Sequence, residues 1–174
     1  MDIPAIAIVG RSGAGKTTLI CNLLPYLKTR GYRVATIKHA GHIMTPDVPG
    51  KDTDRHARAG ADMVLLSAPG TVAVFERLDG ELSLDEALAR ISGVDLILVE
   101  GYKKNTLPKV EIYRPAVHGE LLCGGDERLL AVVSETDPHL SVPVFAPDDY
   151  QGLAEFLLQK LFGRQGSSGK DPHP

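Results

Sequence analysis

Residues Gly10 to Thr17 read Gly-Arg-Ser-Gly-Ala-Gly-Lys-Thr and follow directly on the apolar run Ile3 to Val9. This is the spacing of a phosphate-binding loop set between a strand and a helix. Gly10, Gly13 and Gly15 carry no Cβ, so the backbone can wrap closely around a polyphosphate. With Arg11, Ser12 and Ala14 between them, they present backbone N–H groups as an anion-binding nest, reinforced by the N-terminus of the helix that follows. Lys16 is expected to reach the β- and γ-phosphate oxygens, and the Thr17 hydroxyl to take one coordination position of Mg²⁺. Thr18 then caps or packs the first helical turn.

Such a loop needs a second acidic group for the metal, usually at the C-terminal end of a neighbouring buried strand. Asp95-Leu-Ile-Leu-Val-Glu100 is the most apolar strand of the chain, and Glu100 stands at that end of it, Asp95 at the other. A carboxylate just beyond four apolar residues needs a partner, which makes Glu100 the candidate metal-shell and catalytic acid. Gly101 then gives the backbone room to approach a nucleotide.

The polar loop after the second strand holds His39, His42, Asp47, Lys51, Asp52, Asp54 and His56. Its His-x-x-His spacing matches no standard structural metal site. A switch-like loop that contacts Mg²⁺, phosphate or a second substrate is the simpler reading, with Asp52 as the preferred residue. Lys38, Lys103, Lys104, Lys109 and Arg114 form a basic group near the expected site. A base-reading residue is sought after Leu129–Val133, where Asp137 offers a carboxylate to the guanine N1–H and N2–H₂ but no lysine stacks beside it.

The elements that must position these groups follow from periodicity. Leu19, Ile20, Leu23, Leu24 and Leu27 make the apolar stripe of a first helix, interrupted by Pro25 and ending near Gly31. Strands are expected at 33–38, 63–67, 71–75, 95–99, 109–113, 129–133 and 142–145, and helices at 52–60, 83–91 and 153–162. Strands alternating with helices give an α/β fold, P-loop NTPase-like, with a mainly parallel sheet covered by helices on both faces. The runs at 63–75 would make that sheet mixed. Residues 1–162 are expected to form one nucleotide-binding domain, and the apolar-poor tail 163–174 to be disordered.

A formal charge of −3 argues against a general nucleic-acid binder. Two cysteines without C-x-x-C spacing argue against a thiolate metal site. With no signal peptide expected before the loop and no long apolar span, the location expected is cytoplasmic, away from membranes.

In order along residues 3–162, these pieces resemble the molybdopterin-guanine dinucleotide biosynthesis protein B (MobB) family. The resemblance rests on Gly10 to Thr18, on Ile37-Lys-His39 with His42 and Pro49-Gly-Lys-Asp52, and on Ala59-Gly-Ala61. It continues through Asp95 to Lys103 and Pro108 to Arg114. It implies a homodimeric GTP-binding protein with weak GTPase activity, dependent on Mg²⁺. The implied role is that of an adaptor beside the MobA-like guanylyltransferase that joins GMP to molybdopterin, with molybdopterin itself a further possible ligand. Slow turnover agrees with the residues, because neither an arginine finger nor a water-positioning Gln stands out, Arg11 being at most a partial substitute. The alternative from the loop alone is a small-molecule kinase using ATP, with Asp47, Asp52 or Asp54 as base.

Overall fold

The computed structural model describes residues 3–40, 48–102, 105–117 and 119–163. His42, Asp47, Lys103, Lys104 and the tail beyond residue 163 lie outside the described residues. The chain divides into two compact units, one formed by Met1–His39 with Leu84–Pro174 and the other by Ala40–Ser83.

The larger unit is built on a six-stranded sheet. Its strands are β1 (Ala5–Val9), β2 (Val34–Lys38), β5 (Leu96–Glu100), β6 (Lys109–Ile112), β7 (Leu129–Val133) and β8 (Val144–Phe145). They lie in the order β2-β5-β1-β6-β7-β8, and every pairing is parallel. Between the strands and at the end of the unit stand helices α1 (Lys16–Thr29), α3 (Leu84–Ala89) and α4 (Tyr150–Phe162).

The central strands are apolar without alternation because both faces of the sheet are covered. Ile6, Ile8, Leu96, Leu98 and Val110 point to one face, where Leu23 and Leu27 of α1 and Leu153 and Leu157 of α4 close the main core. Ala5, Ile97 and Val99 point to the other, against Leu84 and Leu88 of α3. Helix α4 begins at Tyr150, three residues ahead of the sequence expectation, because the Asp149 carboxylate accepts the Gly152 N–H at 2.8 Å and caps the turn. Pro25 lies inside α1 on its exposed side.

The smaller unit contains α2 (Asp52–Arg58) and an antiparallel hairpin of β3 (Met63–Ala68) and β4 (Thr71–Glu76). The hairpin forms its own two-stranded sheet, so the runs at 63–75 do not make the main sheet mixed. Lys51 is the N-cap of α2 and gives no side-chain cap. Asp54 does the local anchoring instead. It is buried, accepts the Gly50 N–H at 2.8 Å and is paired with Arg58 at 2.9 Å, and these bonds hold its carboxyl below the usual range, the Gly50 bond most of all.

Candidate functional site

The loop between β1 and α1 sits at the C-terminal edge of the parallel sheet, where open α/β folds bind ligands. Gly10, Gly13 and Gly15 all have positive φ, at 150°, 75° and 102°. At Gly10 the lack of a side chain is also steric, since a Cβ there would stand 2.9 Å from the Ile112 carbonyl of β6. Gly15 is the N-cap of α1 and gives no side-chain cap, which leaves the first turn of the helix available to an anion. The Lys16 ammonium lies over this loop, donating to the carbonyls of Gly10 at 3.1 Å and Arg11 at 3.0 Å. Arg11 is exposed, its Nε 3.5 Å from the Glu120 carbonyl.

Parallel pairing of β1 with β5 sets Ile8 against Glu100 and brings that carboxylate to the base of α1. The Thr17 hydroxyl is 2.9 Å from each of its oxygens. The Glu100 side chain is only 13% exposed. Lys38, at the end of β2 and opposite Glu100 in the register, joins them, with its ammonium 3.4 Å from Thr17 Oγ1 and 3.5 Å from Glu100 Oε1. A hydroxyl and a carboxylate converging in this way fit a hard divalent cation that keeps waters and phosphate oxygens as its other ligands. Among the described residues, no group of three or more His, Cys, Asp or Glu is placed to hold a metal.

The remaining expected residues fall in different places. Asp95, at the far end of β5, accepts the Arg33 N–H at 2.8 Å. Gly101 has φ 104°, and a Cβ on it would meet the Cβ of His39 at 2.9 Å. Its role is therefore to admit His39, whose ring packs on Tyr102 with centroids 4.4 Å apart. Asp52 belongs to the smaller unit, where it is exposed and 3.5 Å from Arg55 in the same helix.

Lys109 is no part of a basic surface. It is 1% exposed, and its ammonium reaches Asp126 at 2.6 Å and the Asn105 carbonyl at 3.1 Å. Glu111, two residues on and on the same side of β6, accepts the N–H groups of Leu122 at 2.6 Å and Cys123 at 2.8 Å. Together the two buried charges fasten the segment 119–128 over the sheet. Both faces of this strand are buried, its two charged positions included.

Sequence reasoning missed a cavity of about 250 Å³ that opens beside the loop. Gly15 and Thr18 line one side, with Arg114, Glu135, Pro147 and Tyr150 around the rest. Asp137 does not line it. Its Oδ1 accepts the His139 N–H at 2.7 Å.

Residues 5–135 match the family model for molybdopterin guanine dinucleotide synthesis protein B. The chain is similar to the molybdopterin-guanine dinucleotide biosynthesis adapter proteins of Escherichia coli, at 36% identity over 94% of this chain and 97% of that one, and of Haemophilus influenzae, at 38% over 95% and 94%. A crystal structure of molybdopterin-guanine biosynthesis protein B superposes with a TM-score of 0.75 at 31% identity, covering 90% of this chain and 99% of that one. Matching over this length, in sequence and in fold, shows that the chain belongs to the MobB family.

Proposed function

We propose that this protein is an adaptor in the synthesis of the molybdopterin-guanine dinucleotide form of the molybdenum cofactor, and that it works by binding GTP with Mg²⁺. The adaptor role is supported by the adapter relatives, which match nearly the whole chain. Nucleotide binding is supported above all by one observation, the convergence of Thr17 and Glu100 at 2.9 Å beside the positive-φ loop that carries Lys16.

Gly10 to Thr18 cradle the phosphates, and Lys16 exchanges the carbonyls of Gly10 and Arg11 for phosphate oxygens. Thr17 and Glu100 hold the cation. The bound ion supplies charge neutralisation of the phosphates and a fixed geometry for them. Hydrolysis is slow in this reading, and the nucleotide serves mainly to set the state of the adaptor. The expected partners are the MobA-like guanylyltransferase and a second copy of the chain, with the cytoplasm as the place of work. The exposed apolar face of the β3–β4 hairpin is the surface that favours a dimer.

Calorimetric titration with GTP and ATP, with and without Mg²⁺, on wild type and Lys16→Ala, tests the reading. Mg²⁺-dependent preference for GTP, lost in the variant, is expected. Preference for ATP together with fast phosphoryl transfer to a small acceptor would make the protein a kinase instead.

A further inference from the structure

The cavity beside the phosphate loop is built from the ends of three parallel strands in the same way. Arg114 stands two residues beyond the end of β6, Glu135 two beyond β7 and Pro147 two beyond β8. Arg114 and Glu135 are exposed at its wall, and neither side chain makes a hydrogen bond or ion pair among the described residues. A carboxylate and a guanidinium thus face one space without neutralising each other. The other walls are apolar, with Leu19, Ile112 and Val133 below Pro147 and Tyr150.

We infer that this cavity is the base subsite of the nucleotide site, and that Glu135 with Arg114 selects guanine. The inference rests on the nucleotide-binding reading above. A carboxylate accepts hydrogen bonds only, and the guanine edge offers two adjacent donors, N1–H and the 2-amino group. Beside them lie O6 and N7, two acceptors that match the paired donors of a guanidinium. Adenine presents the N1 lone pair where guanine presents a donor, so a carboxylate repels it. The space suits a planar ring between apolar walls, and its opening at Gly15 and Thr18 leads to the phosphate loop. Asp137 lies two residues along the same segment but spends Oδ1 on its own turn.

The test is calorimetric titration of wild type, Glu135→Gln, Arg114→Ala and Asp137→Asn with GTP, ATP, inosine triphosphate and xanthosine triphosphate in Mg²⁺. In Glu135→Gln, GTP affinity is expected to fall roughly 10- to 100-fold. Xanthosine triphosphate is expected to gain on GTP, because the new amide donates to the 2-oxo group. Inosine triphosphate, which lacks the 2-amino group, binds wild type more weakly than GTP, and that gap closes in the variant. Arg114→Ala weakens GTP more than ATP, and Asp137→Asn leaves the ratios unchanged. Normal GTP binding with unchanged base ratios in Glu135→Gln, or a switch of preference in Asp137→Asn, overturns the inference while leaving nucleotide binding intact. Failure of wild type to bind any of the four nucleotides removes the underlying reading as well.

Discussion

Thr17 and Glu100, 83 residues apart in sequence, meet through a hydroxyl lying 2.9 Å from both carboxylate oxygens. The contact joins the first turn of α1 to the end of β5, and it follows from the register of β1 on β5 rather than from either residue's neighbours. Glu100→Ala removes the carboxylate without disturbing the apolar part of the strand. The expected result is a loss on the order of 10- to 100-fold in GTP affinity with Mg²⁺ present, while affinity in chelator stays the same or rises slightly as a charge that repels phosphate disappears. Equal losses with and without Mg²⁺ would show that Glu100 holds the loop rather than the ion.

Lys38 introduces a second cation at the same oxygens, 3.4 Å from Thr17 and 3.5 Å from Glu100. An ammonium and a divalent ion repel each other at this range, so a bound metal would push the lysine toward the phosphates. Without metal, the lysine itself screens Glu100 from them. Lys38→Met is therefore expected to weaken Mg²⁺-free GTP binding roughly two- to fivefold, the range of an exposed ion pair, and to change binding in Mg²⁺ by less. A larger loss in Mg²⁺ than in chelator would assign the lysine to the metal-bound state alone.

The order and type of the elements were legible from periodicity, because Leu23, Leu27, Leu96 and Leu98 keep their spacing wherever the chain folds locally. So was the loop, whose glycines are demanded by φ and by the Ile112 carbonyl. What pairing decides was hidden. Lys38 could be set near the site from its place at a strand end, but nothing near Lys109 or Glu111 says that residues 122–126 will cover them. The cavity beside the loop was missed for the same reason, since its two charged walls, Arg114 and Glu135, come from the ends of two different strands.

Two carboxylates tie stability to acid. Asp54 is held low by the Gly50 N–H and Arg58, and Asp126 by Lys109 and the Arg128 N–H. Groups with a depressed folded-state pKa add stability above the unfolded carboxylate value of about 3.9, and that stability disappears as pH falls through the lower folded value. Thermal melts between neutral pH and about pH 2 should therefore show a falling limb that becomes shallower in Asp54→Asn. At neutral pH Asp126→Ala is expected to lower Tm more than Lys109→Met, because it strands an ammonium that is 1% exposed, whereas the methionine variant leaves a carboxylate that water reaches. The reverse order would mean that packing, not charge, holds segment 119–128.

The hairpin carries the prediction for assembly. Leu65 pairs with Val74 and Ser67 with Val72, so Met63, Leu65, Val72 and Val74 share one face, and all four are exposed. Apolar side chains gathered on an exposed sheet are a contact surface for another chain. The change Leu65→Glu with Val74→Lys makes that face polar while giving the hairpin a cross-strand ion pair to replace the lost contact. Size-exclusion chromatography with light scattering at micromolar concentration should give a dimer for wild type and a monomer for the double variant. Because the substitutions lie in residues 40–83 and the phosphate loop in the other unit, GTP affinity per chain should be unchanged. A wild-type monomer would remove the dimer from the proposed function, and a dimer that survives the double substitution would move its interface off this face.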